Sequence, residues 1–189
     1  SYASGPDLAH DQRREDGGSL VFQTAPLEAD FEMLGATVAE LEISADRPVA
    51  MVAIRLSDVL PDDKATRVTY GLLNLTHRDG SESPQPLEPG RRYRVSVRLN
   101  EAAHRFPAGN RLRISISTAY WPLAWPSPEP VRLELFGENT RIRVPERPPR
   151  DEDALLRTLG EPRGAPATER RVIRAPHRNW IVHHDLARD

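Results

Sequence analysis

Between Ser19 and Val144 the apolar residues recur at every second position, and that period decides the fold class before any motif is considered. YRVSVRL puts Tyr93, Val95, Val97 and Leu99 on one face and Arg94, Ser96 and Arg98 on the other. RLRISIS sets Leu112, Ile114 and Ile116 inward, with Arg111, Arg113, Ser115 and Ser117 outward. VRLEL turns in Val131, Leu133 and Leu135, and AELEIS turns in Leu41 and Ile43. Val52, Ile54 and Leu56 share a face, as do Ile142 and Val144. Strict alternation is the pattern of a strand with one face to the core and one to water. A helix would need sustained spacings of three and four, which this region lacks.

The chain carries 18 prolines and 11 glycines, too many breakers for long helices. They cluster between the alternating runs, in ADRP, LPDDK, RDGSESPQPLEPG, FPAGN and FGEN. Asp79-Gly80 and Gly137-Glu138-Asn139 read as hairpin turns. About eight to ten strands with turns between them predict an antiparallel β-sandwich. Jelly-roll and immunoglobulin-like arrangements both fit that count.

The flanks read differently. Residues 1–18 are charged, end in Gly17-Gly18 and have no apolar period, so they predict a linker cut from inside a longer chain. Residues 19–145 hold the sandwich. Residues 146–189 predict an extension: PERPPR as a stiff spacer, DEDALLRTLGEP as a short helix capped by Asp151, and a last hairpin around Val172–Ile173 and Trp180–Val182.

With 189 residues there is room for one domain and a tail. A net charge of −2 gives no general pull toward nucleic acid or an anionic membrane. No apolar run reaches the ~18 residues of a membrane span. The polar N-terminus does not resemble a secretory signal, and a cytoplasmic setting is the expectation. There is no cysteine, so no disulfide, thiolate metal site or cysteine nucleophile.

The search for catalytic chemistry finds none complete. His183-His184-Asp185 offers neighbouring ligands, but adjacent side chains on a strand point to opposite faces. His10, His77, His104 and His177 are scattered, so neither a metal nor another cofactor is expected. The strained-elbow signature G-x-S-x-G is absent, as are phosphate-cradling glycine loops. Asp62-Asp63 sits in a turn-like stretch. Arg94, Arg98, Arg111 and Arg113 would form an outward stripe partnered by Glu40, Glu42 and Glu134. Exposed pairs contribute only ~0–1 kcal/mol each, so this reads as a solvated face.

One cluster stands apart. AYWPLAWPSPEP holds Tyr120, Trp121 and Trp125 in a stretch stiffened by prolines. Three such rings can cover roughly 450–750 Å², at or above the ~300–600 Å² patch usual on a monomer. They would plug the end of the sandwich, dock a partner domain, or stack on sugar rings.

Three stretches then resemble one family, in its order, over about residues 10–145. They are DQRREDGGSLVFQTAPLEADFEMLG, VAELEISADRPVAMVAIRLSDVLPDDKATRVTYGLLNLTHR and LEPGRRYRVSVRLNEAAHRFPAGNRLRISISTAYWP. They resemble the C-terminal domain of the Xaa-Pro dipeptidyl-peptidase / cocaine esterase (CocE/NonD) family of serine hydrolases. The resemblance implies an all-β jelly-roll sandwich, galactose-binding-like, that follows an α/β-hydrolase domain carrying a Ser-Asp-His triad and a helical cap. It implies a non-catalytic accessory domain that packs on the hydrolase domain of the same parent chain and helps shape its active-site region. No triad residue maps onto this chain. Tyr120 and Trp121 stand where many members have a Ser-Ser-Asn-Phe-Pro-like stretch, and WPSPEP is extra. The alternative is a free-standing carbohydrate-binding or protein-interaction module, dimerising through the aromatic loop.

Overall fold

In a computed structural model the chain forms eight strands, six of them from the alternating runs, among the described residues, which are 11–121, 123–157, 160–161, 164–165, 171 and 173–174. A single helical turn, α1 (Arg13–Asp16), precedes them. The strands are β1 (Leu20–Gln23), β2 (Phe31–Ala45), β3 (Met51–Val59), β4 (Ala65–Asn74), β5 (Arg92–Phe106), β6 (Arg111–Ser117), β7 (Leu133–Leu135) and β8 (Arg141–Arg143). One sheet runs β1-β6-β3-β4 and the other β5-β2-β7, with β8 also on β2; every pairing is antiparallel. The protein is therefore an all-β, two-sheet structure.

The inner faces match the alternation. Leu41 and Ile43 of β2, Val52, Ile54 and Leu56 of β3, and Val95, Val97 and Leu99 of β5 are all buried in one cluster. Phe106 and Met33 close it at one end of the sheets. β4 passes close against β5: a Cβ on Gly71 would lie 2.7 Å from the Arg98 carbonyl oxygen and 2.9 Å from Leu99 Cα. Only a residue without a side chain fits against that backbone.

Three local expectations give way to longer-range pairing. Asp79-Gly80 is not a hairpin: it follows a 3₁₀ turn (Leu75–His77) in the connection from β4 to β5, which lie in different sheets. Gly137–Asn139 is not a reversal either. β7 and β8 both run antiparallel to β2, so the chain keeps its direction, and this 3₁₀ turn is a kink between two short strands. The third is the linker. From Asp11 onward the chain lies on the first sheet: Asp11 bridges Thr66, the Gln12 amide donates to the Ala65 carbonyl at 2.7 Å, and Asp16 is buried. The run DQRRED reads as solvated because it is charged, yet donors from β3 and β6 satisfy Asp16 (Arg55, Arg113, Ser115).

β3 shows the consequence. All nine of its residues are buried, on both faces. Its inner face meets the core, and its outer face is covered by the 11–19 segment and by the loop after β6.

The chain divides into two units, Ser1–Arg147 and Pro148–Asp189. Glu146 bridges Met33 and the Arg147 amide donates to the Glu32 carbonyl, so both residues belong with β2. In the second unit, the predicted helix is a 3₁₀ turn (Asp151–Leu155), begun by Arg150 rather than Asp151, with the Arg150 amide donating to the Asp153 carboxylate. The predicted last hairpin falls largely outside the described residues. No helix of the described residues is long and apolar enough to cross a membrane.

Gly71→Ala is expected to cost about 1–3 kcal/mol, the range for overpacking a tight contact. Gly137→Ala, which meets nothing within 4 Å, should stay within about 0.5 kcal/mol of wild type. Urea unfolding midpoints of the two variants check this.

Candidate functional site

The predicted ligand and charge clusters resolve into structural contacts. His104 on β5 faces Asp58 on β3, Nε2 to Oδ2 at 3.0 Å, and the other Asp58 oxygen accepts from Asn110 at 2.9 Å. The His104 ring meets Phe106 edge-on at 4.6 Å, so this group pins one sheet to the other. His77 ends the 3₁₀ turn after β4. His10, His177, His183, His184 and Asp185 lie outside the described residues. Among the described residues no three His, Asp or Glu side chains gather as a metal site would require.

Asp62 and Asp63 build a turn. The Asp62 carboxylate accepts from the Lys64 amide. Asp63 has a left-handed backbone (φ 68°), and its carboxylate pairs with Arg111, which holds it below the usual carboxylate range.

The arginine stripe does not form, because its members belong to different sheets. Arg94 and Arg98 lie on β5, and Arg98 pairs with Glu101. Arg111 and Arg113 lie on β6 and bind Asp63 and Asp16. The predicted acidic partners are engaged elsewhere: Glu40 with Arg143, Glu42 with Asn139, and Glu134 with Ser44.

The aromatic loop follows β6 and folds over the outer face of the first sheet. Its three rings take two different roles. Tyr120 is 9% exposed and packs with Met51, Ala53 and Tyr70, 5.3 Å from the last ring. Its hydroxyl accepts a hydrogen bond from the Arg67 guanidinium, and the Arg55 guanidinium lies 5.5 Å from its ring centroid. The backbone closes locally, with the Ala124 amide donating to the Tyr120 carbonyl at 2.8 Å. Trp121 and Trp125, by contrast, are 56% and 80% exposed and lean on each other at 5.1 Å and 51°. Tyr120 is thus the plug, and the tryptophan pair is the exposed feature it holds up.

Covering the open parts of both indoles would remove roughly 200–350 Å² of surface, on the order of 5–9 kcal/mol at ~25 cal/mol per Å². That is enough to anchor a partner surface. Val21 on β1 and Leu72 on β4 add exposed apolar surface to the same sheet face. Two rings inclined at 51° cannot both lie flat against an extended sugar chain, which disfavours a carbohydrate platform.

Sequence reasoning missed the polar centre beneath this loop: Arg55, Asp16, Arg113 and Ser115. One signal was present. MVAIRLSDV is apolar in both phases at its start, with Met51 and Ala53 opposite Val52 and Ile54, so Arg55 stands on a face that is itself covered.

Burial raises the Tyr120 hydroxyl above its ordinary value near 10, against the opposing pull of Arg67. The fold therefore favours the neutral phenol. Its contribution is complete below the unfolded value and is lost as pH rises through the higher folded one. Ultraviolet titration of the four tyrosines should show a late-ionising step that is absent in Tyr120→Phe. That variant should also lose on the order of 1–2 kcal/mol at neutral pH, with the hydrogen bond to a charged group.

Comparison with known proteins agrees with this architecture. The chain is 25% identical to the cocaine esterase of a Rhodococcus species over 103 residues, 54% of this chain and 18% of that one. A crystal structure of an aminopeptidase from a marine-sediment thaumarchaeote superposes with a TM-score of 0.67 at 20% identity, over 75% of this chain and 28% of that chain. An α-amino acid ester hydrolase superposes with a TM-score of 0.67 at 23% identity, over 74% and 28%. The chain spans about a fifth of the length of the curated relatives it matches. The family model described as the X-Pro dipeptidyl-peptidase C-terminal non-catalytic domain matches residues 1–181, and the chain belongs to that family.

Proposed function

We propose that this domain is the accessory part of a serine hydrolase of the acyl esterase or Xaa-Pro dipeptidyl-peptidase class. It packs on the α/β-hydrolase domain of its parent chain through the outer face of the first sheet and helps shape the region around the active site. In this reading the sandwich is a jelly roll of the galactose-binding-like kind, and catalysis resides entirely in the hydrolase domain.

One observation carries the reading. Asp11 lies beside Thr66, and the next residue of β4, Arg67, holds the hydroxyl of Tyr120. The exposed tryptophans therefore stand on the sheet face that residues 11–19 cross. A domain attached there would meet them first, and together with Val21 and Leu72 on the same face they give it an apolar surface to dock on. The lack of a nucleophile elbow and the short span relative to the esterases it matches support a non-catalytic role.

In the full-length parent protein, replacing Trp121 and Trp125 by serine should raise KM about 3–10-fold and lower Tm by several degrees while kcat holds. Steady-state kinetics and thermal unfolding measure both. A fall in kcat with KM and Tm intact would refute the docking role, as would no change in any of the three. The 189-residue chain by itself should not turn over p-nitrophenyl esters or Xaa-Pro anilides.

A further inference from the structure

Arg55 is a charge in the middle of a buried strand, 3% exposed, and both hydrogen bonds of its guanidinium go to the segment that precedes β1. Nη2 donates to Asp16 Oδ1 at 3.1 Å and to Ser19 Oγ at 2.9 Å. Asp16, 8% exposed, also accepts from Ser115 Oγ at 2.6 Å and from Arg113 Nη1 at 2.9 Å. The 11–19 segment is thus a strap, fastened to β3 and β6 through one carboxylate. The same guanidinium carries the ring of Tyr120 on its other side.

A second contact runs parallel to this one. Asp11 bridges Thr66, and Arg67 beside it holds the Tyr120 hydroxyl. Strap and aromatic loop thus share supports at both ends of the tyrosine. If the strap lifts, Arg55 loses its counter-ion and its cover together, and water enters beside its guanidinium. Nothing then fixes that side chain under Tyr120, and the seat of the ring loosens with it.

We propose that the Asp16–Arg55 pair is a conformational coupler: the docked strap sets the seat of Tyr120 through Arg55, and so fixes how Trp121 and Trp125 are presented. A displacement of the 11–19 strap then reaches the tryptophan pair through the packed side chains of Asp16, Arg55 and Tyr120. This goes beyond the docking reading and does not depend on what covers the tryptophans.

The test uses the 189-residue chain carrying Trp180→Phe, so that Trp121 and Trp125 are the indoles observed. Their close, inclined rings give an exciton couplet in circular dichroism, which reads the loop. Trypsin cleavage at Arg13 and Arg14 reads the strap. Asp16→Ala should speed that cleavage about tenfold or more and at least halve the couplet. In an Arg55→Met background, the same Asp16 substitution should still speed cleavage but change the couplet no further. Val97→Ala, a core change in the other sheet, should weaken the fold and leave the couplet of the folded protein intact. Asp16→Asn keeps the side-chain shape and replaces Asp16→Ala if that variant does not fold. A freed strap with an unchanged couplet would overturn the proposal. So would an equal loss of couplet in Val97→Ala, or a strap still protected after Asp16 is replaced.

Discussion

Most of this structure depends on β3 being closed off from water on both faces. A sandwich strand ordinarily keeps one wet face. Here the outer face carries Arg55 and Ser57 between apolar neighbours, and both are buried. A buried guanidinium without a counter-ion would cost several kcal/mol, so the chain must bring it a carboxylate. Asp16 is that carboxylate, and bringing it in folds residues 11–19 onto the sheet. The ion pair adds little net stability over an apolar pair of like shape. What it contributes is position, since one carboxylate binds β3, β6 and the strap together.

The same covered face explains why the aromatic loop divides. Tyr120 has a hydroxyl that a guanidinium can satisfy and a ring that fits over Met51 and Ala53, so it goes in. The two tryptophans flank Leu123 and Ala124, which pack with Tyr120 against Met51 and Ala53. The tryptophans themselves remain outside, supported by each other. An exposed pair on a firm base is suited to meeting a second surface with little ordering cost.

Family membership and chain length give the same picture. The domain belongs to a non-catalytic family and aligns with about a fifth of the esterases it matches. Its charged interior is devoted to holding its own parts together: Asp58 with His104 and Asn110, and Asp16 with Arg55 and Arg113.

The period of two was enough to name β2, β3, β5, β6, β7 and β8 and their inner faces, though not β1 or β4. Val52, Ile54, Leu56, Val95, Val97 and Leu99 are core residues because alternation is a property of the extended backbone itself, local to a few residues. The aromatic loop was legible as a cluster for the same reason. Tertiary structure decided the rest. Arg94 and Arg113 look alike along the chain, but their strands join different sheets. Gly137–Asn139 has turn chemistry, yet β7 and β8 both pair with β2, so no reversal follows. DQRRED looks solvated until three donors from distant strands surround Asp16. Tyr120, Trp121 and Trp125 look equivalent until one of them finds a sheet to cover. Each of these outcomes turns on which segments meet across tens of residues, and a strand carries its own face pattern but not the identity of its neighbours.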